Sequence, residues 1–193
     1  MIGYAKNRTI QAGFTIIELL VAVSVFTLSL TVMAGSVVST LRAQQQAQES
    51  IRSINQASYA TEYIGRVLRM AKKDLAGQCL GQIKDNYSVG LLGDSVRFLN
   101  YRNQCQEFFL DSTDQIKVRF SSDANAANFG LANPLTSTQL EVTRFKVVIS
   151  GQSQDDELQP VVTFLTEIKP RNSTGPRLVL QTSVSQRNLD IKR

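Results

Sequence analysis

The sequence predicts an α+β protein in which one long N-terminal helix packs against an antiparallel β-sheet. Three observations lead to this prediction. Residues 14–41 form an unbroken apolar run, residues 42–76 continue it with apolar or small residues at helical spacing, and the remainder contains segments rich in β-branched and aromatic residues. We therefore expect the first half of the helix to cross a membrane and its amphipathic second half to cover the sheet.

The apolar run at residues 14–41 is typical of a transmembrane helix. Its 28 residues include one ionisable side chain, Glu18, and a helix of this length spans about 42 Å, more than the ~30 Å hydrocarbon core requires. Lys6 and Arg8 precede the run, as in a secretory signal peptide, but a signal peptide has a shorter apolar region followed by a small-residue cleavage site. A signal-anchored extracytoplasmic domain that keeps residues 1–13 is a further alternative.

Glu18 is the informative residue of this helix, because a carboxylate within an apolar span costs about 2.5–3.5 kcal/mol on insertion scales. Intramembrane charges are usually kept for a partner at the same depth. One interpretation is a carboxylate that snorkels to the membrane interface. The other is pairing with the α-ammonium that cleavage just before Phe14 would create on a neighbouring copy.

The segment GFTIIE at residues 13–18, with the basic leader before it and the apolar run after it, resembles the cleavage and methylation motif of type IV prepilins and type II secretion pseudopilins. The resemblance covers residues 6–42. It implies cleavage between Gly13 and Phe14 by a membrane aspartic prepilin peptidase, N-methylation of Phe14, and a role for Glu18 in filament assembly. The implied partners are this peptidase, other pilin or pseudopilin subunits, an inner-membrane assembly platform and the lipid membrane.

The polar sequence after residue 41 continues the helix as an amphipathic segment. Gly77 is its predicted stop, and Lys72 and Lys73 suit the last turn, where cations are stabilised. The residues at intervals of three and four that we expect to form the buried stripe are Ala47, Ile51, Ile54, Ser58, Thr61, Ile64, Leu68, Ala71 and Leu75. The expected organisation is a cleaved leader (1–13), a transmembrane helix (14–41), an amphipathic continuation (42–76) and an antiparallel β-sheet domain (77–193).

The remainder reads as strands separated by polar loops. Residues 116, 118 and 120 are apolar and alternate with Lys117 and Arg119. This alternation predicts a sheet with one buried face and one solvent-exposed face. Phe108, Phe109 and Leu110 can add a short strand, and the segments 121–138 and 151–159 are expected to be loops. The predicted strands are 95–101, 115–121, 140–150, 161–169 and 177–186. A helix followed by such a sheet is also the type IV pilin-like fold that the resemblance implies.

The expected compartment indicates whether the two cysteines form a disulfide. Cys79 and Cys105 lie 26 residues apart in a part of the chain whose size and cysteines favour a position outside the cytoplasm, where thiols oxidise. A disulfide from the helix end to the sheet is the favoured interpretation, and two free buried cysteines are the alternative.

Composition excludes several other functions. The 193 residues include no His, which removes Ser-His-Asp and Cys-His relays and His-ligated zinc. Hydrolysis by carboxylates alone stays open, but no catalytic pair stands out, and the GLLG run at residues 90–93 lacks the lysine of a phosphate loop. The acidic segments 111–114 and 155–157 could bind calcium, but neither has EF-hand spacing, and solvated loops are the favoured interpretation. We therefore predict no enzyme, no cofactor and no metal site.

Nucleic acid is a further candidate ligand. The 21 Lys and Arg exceed the 16 Asp and Glu by a small margin, which is a weak argument for nucleic acid. Basic residues do alternate with aromatic ones in the predicted strands, as in single-strand binding surfaces, but we expect the aromatics to face inward. The basic residues are Arg97, Arg102, Lys117, Arg119, Arg144 and Lys146, and the aromatic ones are Phe98, Tyr101, Phe120 and Phe145.

The sequence thus predicts a structural, minor subunit of a type IV pilus-like or type II secretion pseudopilus filament. The expected location is the inner membrane, with the N-terminus cytoplasmic and the globular domain periplasmic or extracellular. A DNA-uptake receptor or adhesin at a filament tip is the alternative function. Among minor pseudopilins the J component is similar in size, whereas Glu18 argues against the K component.

Overall fold

The computed structural model describes residues 13–152, 158–171 and 177–188, so most of the expected leader lies outside the described residues. The chain divides into two compact units, Met1–Gln45 and Gln46–Arg193. One helix, α1, begins at Ile16 and ends at Arg69. The strands are β1 (Tyr87–Val89), β2 (Ser95–Leu99), β3 (Cys105–Leu110), β4 (Ile116–Phe120), β5 (Asn133–Pro134), β6 (Leu140–Ser150), β7 (Val161–Pro170) and β8 (Leu178–Ser185).

The first unit is the apolar part of α1. Its large side chains are exposed on every side of the helix; Ile17, for example, is 72% exposed and Phe26 is 63% exposed. A helix that is apolar all round has no face to turn toward water. The helix is long and apolar enough to cross a membrane, as the sequence predicts.

The second unit packs α1 against two antiparallel sheets. Strands β1 to β5 form one sheet in sequence order, and β6, β7 and β8 form the other. Ile64 and Leu68 of the helix share one core with Phe108 of the first sheet and with Phe145 and Phe164 of the second. The α+β class and the antiparallel pairing therefore agree with the sequence prediction, with the strands divided between two sheets.

The buried face of the helix differs from the predicted stripe. Ile64 and Leu68 are buried as expected, but Ile51 is 56% exposed and Ile54 is 46% exposed. Small residues occupy the contact instead, because they let the helix backbone approach the sheets closely. The buried residues of α1 are Ser53, Ala57, Ala60, Ile64, Gly65 and Leu68.

The helix also ends at Arg69, before the predicted end at Ala76. The reason is that the backbone beyond Arg69 has other hydrogen-bond partners. The Lys72 N–H donates to the Leu99 carbonyl at 2.8 Å. The buried Asp74 carboxylate accepts backbone N–H groups from the loop that follows, at 2.8–3.1 Å. The donors to Asp74 are Ala76, Gly77, Cys79 and Leu80.

The five long predicted strands are all present, with ends shifted by no more than two residues. A bulge in β6 between Val142 and Arg144 shifts the register against β7. The shift exposes both Thr143 and Arg144, so that Val142 and Phe145 face the core together. β1 and β5 were not predicted. β3 begins at Cys105, earlier than the predicted Phe108, and the segment predicted as a loop contains the 3₁₀ helix Ala126–Asn128.

Candidate functional site

The expected processing site lies at the start of α1. Gly13, Phe14 and Thr15 are not helical, and the helix begins at Ile16. A Cβ built on Gly13 would meet no atom within 4 Å, and Phe14 is 78% exposed. The junction between Gly13 and Phe14 is therefore accessible and lies outside the helix, which suits a bond that a protease must bind.

Thr15 is the cap of this helix. The Glu18 N–H donates to the Thr15 side-chain oxygen at 3.3 Å and to its carbonyl at 3.1 Å. The Leu19 N–H donates to the same carbonyl at 3.2 Å. Thr15 and Glu18 have the spacing of a capping box, in which Ser or Thr precedes Glu or Gln by three residues. The sequence analysis missed this role of Thr15, although the TIIE motif carries the signal.

Glu18 lies in the first turn of α1 and is exposed. Its carboxylate lies in the first turn of α1, where the partial positive charge of the helix N-terminus favours an anion. Its side chain is exposed, and no ion pair of Glu18 occurs within residues 13–152, 158–171 and 177–188. The carboxylate is thus held on an accessible helix turn without a cation from the described part of its own chain.

The hydroxyl groups of the apolar segment are satisfied inside the helix. Ser24 Oγ, for example, donates to the Leu20 carbonyl at 2.8 Å, and Thr31 Oγ1 donates to the Thr27 carbonyl at 2.9 Å. Such bonds matter in lipid, where no water satisfies polar groups. The other residues that bond in this way are Thr27, Ser29, Ser36, Ser39 and Thr40.

Cys79 and Cys105 form a disulfide, with their Cα atoms 5.4 Å apart. The cysteines are 1% and 0% exposed, respectively. Cys79 lies in the loop that Asp74 organises, and the Cys105 N–H donates to Ser121 Oγ at 2.8 Å at the start of β3. The bridge joins the segment after the helix to the first sheet, as the sequence analysis favoured.

Each of the basic residues that alternate with aromatic ones has a partner in the structure. Glu107, which is 5% exposed, pairs with Arg97 at 3.1 Å and with Arg119 at 2.6 Å. The Arg119 guanidinium lies 4.4 Å from the Phe129 ring centroid. Phe98 and Phe145 are buried as expected, whereas Tyr101 is 50% exposed and contradicts the expectation that the aromatics face inward. The remaining partners are Asp111 for Lys117, Glu167 for Arg144, the Leu92 carbonyl for Lys146, and the Tyr101 ring for Arg102.

The acidic segment at 111–114 is an ordered turn. Burial pushes the pKa of Asp111 up, but the Lys117 ammonium and hydrogen bonds from Thr113 and Gln115 hold it well below its usual range. Thr113 and Gln115 donate backbone N–H groups to Asp111 at 2.9 and 3.1 Å. Among the described residues no cluster of three or more His, Cys, Asp or Glu could hold a metal ion. The segment 155–157 lies outside the described residues.

Fold and site together define a protein with an apolar N-terminal helix long enough to cross a membrane and a disulfide-bridged α+β domain. Residues 8–34 match the family model described as the prokaryotic N-terminal methylation motif. This prepilin-type motif, together with the long N-terminal helix, is consistent with a type IV pilin-like protein and with membrane anchoring, and it points to a structural family. Neither the curated proteins nor the solved structures contain a match to the chain.

Proposed function

We propose that this chain is a minor structural subunit of a type IV pilus-like or type II secretion pseudopilus filament, without catalysis of its own. The observation that carries the proposal is the methylation motif at residues 8–34, which ends in an exposed apolar helix. In this proposal prepilin peptidase removes residues 1–13, and Phe14 becomes the methylated N-terminus. Residues 14–41 lie in the inner membrane before assembly.

Glu18 gives the proposal its mechanism. Cleavage creates an α-ammonium on Phe14, and the ammonium of a newcomer neutralises Glu18 of a subunit already in the filament. The low dielectric of the membrane strengthens this attraction, while desolvation of both ions offsets much of it. The pairing therefore fixes the register of neighbouring subunits more than it adds affinity. The absence of an ion pair for Glu18 among the described residues supports this role.

The disulfide between Cys79 and Cys105 supports the proposed location of the second unit outside the cytoplasm, because such bridges persist in oxidising compartments. The N-terminus would then be cytoplasmic. The minor role is supported by the large loops between the strands.

The test replaces Glu18 by Ala and, as a matched control, by Gln. Gln suits the capping box at this helix position but carries no charge, so the pair separates loss of charge from loss of the cap. Both variants should insert in the membrane, be processed after Gly13 and form the disulfide. Both should be absent from sheared filaments, because neither can neutralise the Phe14 ammonium.

Two results would overturn this role of Glu18. Normal incorporation of Glu18→Ala would favour a snorkelling interfacial carboxylate. Incorporation of Glu18→Gln with exclusion of Glu18→Ala would assign Glu18 to helix capping alone.

A further inference from the structure

The outer edge of β8 has no strand beside it among the described residues, but α1 reaches its C-terminal end, where the Arg187 N–H donates to the Arg69 carbonyl at 2.8 Å. β8 pairs with β7 from Ile168↔Leu178 to Val161↔Ser185. No strand pairs with its other edge in the part of the chain that the structure describes. Alternate backbone N–H and C=O groups point outward from such an edge. The eight residues LVLQTSVS contain no charge and no Pro, which are the devices that usually keep edge strands from pairing.

A groove of about 510 Å³ lies between α1 and the inward face of β8. Small residues, Ser58, Thr61 and Gly65, line it on the helix side, and Leu180 and Thr182 line it on the strand side. Gly65 keeps the two elements close, since a Cβ there would lie 3.3 Å from Val184 Cγ2. Side chains from an added neighbouring strand, about 4.8 Å from β8, would project into this groove.

We propose that β8 accepts an extended segment of another protein as a fourth antiparallel or parallel strand of the β6-β7-β8 sheet. The backbone edge requires a strand as the occupant, because only a second strand satisfies a ladder of N–H and C=O groups. The groove requires that alternate side chains of this strand be apolar and of moderate size. This is β-strand addition, in which the backbone gives affinity and the groove gives specificity.

The arginines around β8 indicate the chemistry of the partner strand. Four arginines lie on the groove or next to the ends of β8. Arg66 pairs with Glu62 and Arg177 pairs with Glu167, whereas Arg69 and Arg187 are exposed and have no ion pair within the described residues. In an antiparallel pair with a second copy, each Arg177 would approach the other copy's Arg187. The two unpaired arginines lie at one end of β8, where the Arg187 N–H donates to the Arg69 carbonyl, and β8 itself contains no acidic residue. The partner strand is therefore acidic at that end and belongs to a different protein.

The experiment uses the full chain in detergent micelles and two blocked, fluorescently labelled peptides. One has the sequence Asp-Val-Thr-Val-Thr-Val-Asp, and the other replaces both Asp by Lys. Fluorescence polarisation should give a dissociation constant at least about tenfold lower for the acidic peptide. Thr182→Lys, which puts a charge in the groove, should weaken binding about tenfold or more. Ser183→Lys, which adds the same charge on the solvent face of the same strand, should not weaken it.

Two further measurements keep the proposal testable if Thr182→Lys disturbs the sheet. Thr61→Lys blocks the groove from the helix and should weaken binding equally. Methylation of alternate backbone nitrogens of the acidic peptide should abolish binding, because a methylated nitrogen cannot donate to the edge.

The proposal is overturned if the acidic peptide does not bind, or if its binding survives both groove variants or the backbone methylation. Sedimentation that finds a dimer lost in Thr182→Lys would overturn the choice of a different protein as the partner. These outcomes do not depend on filament assembly, so they are independent of the function proposed above.

Discussion

Removal of the disulfide between Cys79 and Cys105 should lower stability without changing the fold. The bridge closes a loop with a sequence separation of 26, for which the chain-entropy model gives about 3.5 kcal/mol of stabilisation. The reduced native state should keep its geometry, since Asp74 Oδ2 still accepts the Cys79 N–H at 2.8 Å. The Cys105 N–H likewise still has the Ser121 hydroxyl and the Asp123 carbonyl. The loss therefore arises mainly in the unfolded chain.

Urea unfolding followed by tyrosine fluorescence measures this loss, because the chain has five Tyr and no Trp. With an m-value of about 2 kcal/mol/M, reduction should lower the midpoint by about 1.8 M. The Cys79→Ala, Cys105→Ala double variant is the control, and its midpoint should not respond to reductant. Equal midpoints for the oxidised and reduced wild-type protein would refute the reasoning, as would full alkylation of both thiols in the native protein.

Two further substitutions test the packing of the second unit. Tyr87→Phe removes the hydrogen bond that the buried Tyr87 hydroxyl donates to the Leu68 carbonyl at 2.8 Å. The free energy of unfolding measured in urea should fall by about 1 kcal/mol. An unchanged midpoint would contradict the contact. Asp111→Asn should destabilise the protein at pH 7, because the lowered pKa of Asp111 makes the ionised native form the more stable one. That contribution is present above the ordinary carboxyl pKa of about 4 and is lost as the pH falls toward the lower native value, so the wild-type and variant midpoints should converge in acid. A difference that grows in acid would contradict the Asp111–Lys117 pairing.

The apolar anchor and the long strands could be predicted from sequence because their signals are strong and local. A run of 28 residues with one charge has few structural interpretations. Alternation at Ile116, Val118 and Phe120 fixes which face of β4 turns inward. The capping role of Thr15 was also predictable, because the TIIE motif has the spacing of a capping box.

The end and the buried face of α1 could not be predicted, because tertiary contacts decide both. The sequence pattern predicted that Ile51 and Ile54 would be buried against the sheets. The buried face instead includes Ala57 and Ala60, whose small size allows the helix to approach closely. The helix stops where the Asp74 carboxylate captures the following N–H groups, a long-range arrangement that no periodicity records.

Short and polar strands escaped prediction for related reasons. β1 has three residues and β5 has two, too few for a pattern of alternation. The start of β3 reads CQE, which suggests a loop, but Glu107 is buried because Arg97 and Arg119 flank it on neighbouring strands. The edge of β8 with its groove was equally hidden, since only the fold reveals which strand lacks a neighbour.

The identity of this chain's N-terminal peptide in purified, sheared filaments tests the account most directly. Mass spectrometry should find the chain in that fraction, beginning at Phe14 and carrying a methyl group on its α-amino nitrogen. Absence of the chain from filaments, or a peptide that still begins at Met1 or starts near Ala34, would contradict a processed filament subunit.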